Sequence, residues 1–198
     1  MTLSNSHVGS IKPWYVLVGV LVVLVLWLGA TYNGFVTSKG AVTNAWAQVE
    51  TQYQRRIDLV PNLVSTVKGA AKFEQETFTQ ITEARSAWSQ AKTIGDRSQQ
   101  IQAAGTFDSA LSRLIVTVEA YPQLSATASF RDLMTQLEGT ENRVSVARKD
   151  FNDAVFAYNV RAQRFPGLIA AKIFGFTAEK SFEAQAGADV APKVDFTK

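Results

Sequence analysis

The chain has 198 residues, with 20 Lys and Arg against 17 Asp and Glu and a net charge of +3, a balance with no clustered basic face for nucleic acid. Cysteine is absent and the single histidine, His7, lies close to the start. Disulfides, thiolate metal sites and cysteine nucleophiles are thereby excluded, and the stretch beyond His7 has no histidine for acid–base work or zinc.

The first element is the apolar run Trp14 to Ala30, WYVLVGVLVVLVLWLGA, which contains no charged residue. As a helix it covers about 26 Å, and extension to Tyr32 brings it near the hydrocarbon thickness of a bilayer. Helix is required because lipid offers backbone N–H and C=O groups no other partner. Trp14 and Tyr15 at one end, with Trp27 and Tyr32 at the other, suit the headgroup level. A cleaved leader fits less well, because Leu28 stands two positions before the small residue Ala30. The run is read as a retained transmembrane helix over 14–32. Lys12 before it and Lys39 after it set no charge asymmetry, so its orientation stays open.

Beyond the anchor, Phe35, Val42, Trp46, Val49 and Tyr53 fall at the a and d positions of a heptad. Two readings meet at Asp58 to Pro61. A proline is at ease only in a helix's first turn, which suggests a break. The heptad phase nevertheless passes through it, as Trp46, Tyr53, Val60, Val67, Glu74, Ile81 and Trp88, which suggests one kinked helix. Leu63, Val64, Ala70, Ala71, Phe78 and Ala84 complete this apolar face to about Lys92. A turn follows at Thr93 to Arg97. The next helix covers roughly Arg97 to Tyr121, with Ile101, Ala104, Leu111, Leu114, Ile115 and Val118 on one side, and Pro122 ends it. Gln123 to Ala128 reads as a loop and Ser129 as an N-cap with Asp132 after it.

The last long helix carries Phe130, Leu137, Val144, Phe151, Tyr158 and Phe165 every seven residues, and Pro166-Gly167 stops it. Leu168 to Phe176 is a short apolar patch that packs on the bundle or lies at the membrane surface. Ala184 to Lys198 has little to bury. The pattern predicts an all-α chain: segment 1–13, transmembrane helix 14–32, an antiparallel bundle over 33–176 and an extended tail over 177–198.

The charged residues near the last helix's seam are the candidates for chemistry. Glu138, Glu141, Arg143 and Arg148 are placed to meet Arg55, Arg56, Asp58 or Glu119 across the bundle. Paired carboxylates hold divalent metals in some bundles, but those sites use Glu-x-x-His pairs, and no histidine is available. Polar groups that fix helix register are the better reading. The aromatics Trp46, Tyr53, Phe78, Trp88, Phe130, Phe151, Tyr158 and Phe165 are read as core. No glycine-rich phosphate loop is present. The reading assigns no catalytic, cofactor-binding or metal residue and no cofactor, and predicts a chain that is not an enzyme.

Five stretches resemble the LemA family: Ala45 to Arg85, Val118 to Leu124 (VEAYPQL), Leu137 to Asn159, Arg164 to Phe176 (RFPGLIAAKIFGF), and FEA with APKVDF near the end. Gly167 departs from that pattern, which often has asparagine there. The resemblance implies a bacterial protein with an N-terminal membrane helix and a four-helix up-and-down bundle. It favours a chain reversal at Asp58 to Pro61 over the kinked helix. Family genes often lie beside one for a membrane-bound metalloprotease, which implies such a protease as a partner. The expected role is a scaffold or adaptor in the inner membrane that self-associates or binds another membrane protein. The alternatives are a lipid-contacting protein that uses 168–176 and, behind it, an enzyme or metal sensor.

Overall fold

The computed structural model describes residues 12–68, 75–119 and 121–183, without the side chains of 124 and 125. No strand occurs among the described residues. The helices are α1 (Pro13–Lys68), α2 (Gln75–Ile94), α3 (Arg97–Glu119), the short α4 (Pro122–Ser125), α5 (Ala128–Gln163) and α6 (Gly167–Phe174). Two compact units share them. Among the described residues, one holds 12–41 together with Ala157–Glu179; the other holds Val42–Phe156 and 180–183.

The second unit is an up-and-down four-helix bundle, and its direction can be followed residue by residue. Along α1 and α2, Tyr53 stacks on Trp88 at 4.8 Å, Gln54 accepts from Lys92 at 3.3 Å, and Lys68 sits over the Phe78 ring. Rising numbers meet falling ones, so the pair is antiparallel. Gly95, with φ of 76°, turns α2 into α3, and Asp96 caps the new helix by accepting from the Ser98 N–H at 2.8 Å. α3 then runs beside α1 in the same direction, Trp46 donating to Gln100 at 3.0 Å and Tyr53 to Asp108 at 2.9 Å. α5 returns against α1, from Glu141 beside Arg56 to Phe151 edge-on to Trp46 at 5.0 Å. Tyr53, Trp88, Phe107, Leu111, Leu114 and Phe151 are fully buried between these faces.

The reversal expected at Asp58 to Pro61 is absent. α1 continues through Pro61 to Lys68, as the apolar period alone suggests, because Ile57, Val60, Leu63 and Val67 keep one buried face. Pro61 itself is exposed, and the Ser65 hydroxyl bonds the Pro61 carbonyl at 2.9 Å. The reversal comes after Lys68; Ala70, Ala71 and Glu74 fall outside the described residues. The α5 N-terminus also differs. Pro122–Ser125 is a helical turn within the expected loop, and α5 starts at Ala128 with Thr127 Oγ1 accepting from the Phe130 N–H at 3.4 Å, so Thr127 and not Ser129 precedes the helix. Phe165, assigned to the core by the heptad, lies beyond the end of α5 and is 76% exposed.

In the first unit, α1 begins with Pro13 at its first helical position, where a missing N–H costs nothing. The segment from Trp14 to Leu26 is exposed throughout, with Leu17 at 59% and Leu26 at 67%, and the helix is long and apolar enough to cross a membrane. Just past it, Phe35 stacks on Phe176 at 4.8 Å and meets Tyr158 edge-on at 6.3 Å. Tyr32 packs against Phe174 at 5.0 Å and Phe176 at 5.8 Å. α6 enters this cluster tightly. A Cβ on Gly167 would collide with the Arg161 carbonyl oxygen, so a larger residue would not fit this geometry. Gly175 ends α6 in the left-handed region at φ 73°.

Candidate functional site

The polar groups inside the second unit converge on one carboxylate. Asp108 projects from α3 one turn past Ala104, on the flank of the buried face. From α1, Tyr53 and Arg56 lie one turn apart; from α5, Glu141 and Arg148 lie two turns apart. Arg56 Nη1 donates to Asp108 Oδ1 at 2.9 Å, and its Nη2 reaches Glu141 at 2.5 Å. The Tyr53 hydroxyl donates to Asp108 Oδ2 at 2.9 Å. Arg148 Nη2 donates to that same oxygen and to the Tyr53 oxygen, so the hydroxyl is acceptor and donor at once. Arg148 also lies over the Tyr53 ring at 5.2 Å.

The Arg56 side chain is 9% exposed and that of Asp108 15%, whereas half of Glu141 faces solvent. A charge so placed is tolerable only with partners in good geometry. Burial pushes the Asp108 carboxyl up, Arg56 pulls it down and Glu141 pushes it up again, leaving it at about 7. Burial also lowers Arg148 from its ordinary value. Burial is thus the strongest influence on this carboxyl, although two guanidiniums and a phenol face it.

The sequence candidates separate clearly. Arg56, Glu141 and Arg148 come together as expected. Arg55, Glu119, Glu138 and Arg143 stand exposed, and Asp58 accepts a hydrogen bond from Gln54 at 3.0 Å. Asp108, the centre of the cluster, is the residue that sequence reasoning missed. Its signal was spacing: 104, 108, 111 and 115 step by four, three and four along a helix face, which places a carboxylate beside the seam.

The charged ends of the cluster face one another, while Arg56 Nε and Arg148 Nε are buried without a hydrogen-bond partner. Arg56 bridges Asp108 and Glu141, so a guanidinium occupies the position a divalent cation would need between the two carboxylates. Among the described residues no three His, Cys, Asp or Glu side chains gather for a metal. A cavity of about 260 Å³ adjoins the cluster, lined by Ser98, Ile101, Gly105, Asp108, Arg148 and residues 180–183. Its serines have no histidine beside them to act as base.

Residues 45–196 match the LemA family. The chain is 28% identical over 181 residues to the magnetosome protein MamQ 2 of Paramagnetospirillum magneticum, covering 80% of this chain and 66% of that protein. It is likewise 28% identical over 192 residues to the magnetosome protein MamQ of Magnetospirillum gryphiswaldense, covering 85% of this chain and 71% of that one. Protein LemA of Metamycoplasma hominis is 22% identical over 133 residues, covering 67% and 60%. The chain thus spans about two thirds of the length of the first of these relatives.

The raised carboxyl gives a pH dependence of definite sign. With its folded value at about 7 against an ordinary 3.8, Asp108 binds its proton more tightly in the folded state. Its contribution to stability is full below pH 4 and is lost as pH rises through 7. Thermal unfolding from pH 5 to pH 8 is expected to show the wild type losing stability relative to Asp108→Asn. Parallel pH profiles would contradict the assignment.

Proposed function

The chain belongs to the LemA family, and we propose that it is a single-pass inner-membrane protein whose bundle is a non-enzymatic interaction module. On this reading it acts as a scaffold or adaptor, self-associating or holding another membrane protein, a membrane-bound metalloprotease among the candidates. The observation that carries the reading is an apolar helical surface from Trp14 to Leu26 that no other described part of the chain covers. The bundle adds to it, because its buried charges answer one another and leave its outer faces for contact. Light scattering on the detergent-extracted full-length protein tests self-association. A uniform species larger than one chain is expected, and a monomer at all concentrations would reject it.

A second reading, in which the chain also touches lipid through α6, is favoured by one feature of the first unit. α6 buries Ala170 and Ala171 and leaves Leu168, Ile169 and Ile173 exposed, while Phe174 and Phe176 hold its end against Tyr32. Tyr32 is the aromatic at the end of the anchor, so a helix held there with apolar residues outward suits the headgroup boundary. The absence of native cysteine makes the test clean. An environment-sensitive fluorophore on Ile173→Cys in liposomes is expected to shift to the blue and to be quenched by shallow spin-labelled lipid. The same label on exposed Ser145→Cys serves as the reference. Equal, water-like emission at both sites would reject the lipid contact.

A further inference from the structure

Residues 180–183 are not helical, yet they lie on the bundle as a bound peptide would. The Phe182 N–H donates to Asn152 Oδ1 at 2.9 Å, and Asn152 Nδ2 donates to the Phe182 carbonyl at 3.1 Å. One amide side chain thus satisfies both backbone groups of one residue, the pairing a neighbouring strand would supply. The Phe182 ring stacks on Trp46 at 5.9 Å, with 23° between planes, and meets the edge of Phe151 at 5.9 Å. Arg148 covers it at 4.9 Å. The backbone clamp reads extended chain of any sequence; the slot reads an aromatic side chain. Lys180, Ser181 and Glu183 on either side of it are exposed. The first unit repeats the clamp, Asn159 donating to the Glu179 carbonyl at 2.8 Å and accepting from its N–H at 2.9 Å.

Such a segment is held by its own few contacts and lies outside the helical ladder, so it opens at far less cost than the bundle unfolds. It follows Gly175, whose left-handed backbone takes the chain out of α6. Each contact named above would be made identically by the same segment of another copy, and reciprocal exchange loses none of them. A membrane anchor confines the copies to a plane, which raises their encounter.

We propose that the slot formed by Trp46, Arg148, Phe151 and Asn152 is an exchangeable docking site for an extended, phenylalanine-bearing peptide, and that its exchanging occupant is the 176–183 segment of a second copy. The inference rests on the self-associating reading above, and it names the surface and the ligand.

Complementation between two full-length variants tests it. Phe182→Ala keeps the slot and loses the ligand; Asn152→Ala keeps the ligand and weakens the slot. Differently tagged copies are mixed in detergent and captured. The mixed Phe182→Ala and Asn152→Ala pair is expected to co-purify, whereas each variant paired with itself falls to background. A synthetic peptide of residues 176–183 in excess is expected to dissociate the wild-type pair. This arm needs no variant and decides alone should either substitution lower the circular-dichroism melting point. Equal capture in every pairing, or capture indifferent to the peptide, would overturn tail exchange while leaving self-association intact. No capture of wild type by wild type would overturn both.

Discussion

Asp108 brings a carboxyl group into the partly buried seam of the bundle, and two helices are arranged to answer it. α1 supplies Tyr53 and Arg56, and α5 supplies Arg148, with Glu141 taking the other side of the Arg56 guanidinium. Because hydrogen bonds are short and directional, only one sliding position of α1, α3 and α5 satisfies them together. Apolar packing around them is more forgiving, since a slip of one heptad would still bring apolar residue against apolar residue. The cluster therefore fixes register, while apolar contacts such as Tyr53 on Trp88 and Trp46 on Phe151 fill the core.

That arrangement also occupies most of the polar groups of the site with one another. Arg56 already bridges the two carboxylates, and the Tyr53 hydroxyl is already both donor and acceptor. What stays available is on the outside: the apolar length of α1 before Trp27, the exposed face of α6, and the aromatic slot filled by Phe182. These are the surfaces on which the proposed contacts with lipid, with another protein or with a second copy rest.

Much of this was legible in the residues, for identifiable reasons. The anchor is an unbroken apolar run, and the bundle seam shows the heptad repeat, so Tyr53, Trp88, Leu111 and Phe151 were placed in the core from spacing alone. Pro61 is instructive because the apolar period, which measures what must be buried, outweighed proline's helix-breaking tendency. The family resemblance pointed the other way. Phe165 failed for the opposite reason: its heptad position was correct, but Pro166 ends the helical geometry that gives such a position meaning. Asp108 was overlooked because one carboxylate beside a seam looks like a solvated neighbour until Arg56 and Arg148 are seen to converge on it. Phe182 gave no periodic signal at all. A single aromatic in a polar tail is readable only once Asn152 and Trp46 are known to face it.

The register of the bundle depends most on the coupling between Asp108 and Arg148 across α3 and α5. A double-mutant cycle with Asp108→Ala, Arg148→Ala and the pair, followed by unfolding of the full-length protein at pH 8, measures it directly. An interaction free energy of about 0.5–3 kcal/mol is predicted, because each single change removes one side of a partly buried, hydrogen-bonded ion pair. Additive losses, with no coupling beyond about 0.3 kcal/mol, would contradict the claim that this buried charge cluster sets the register of the bundle.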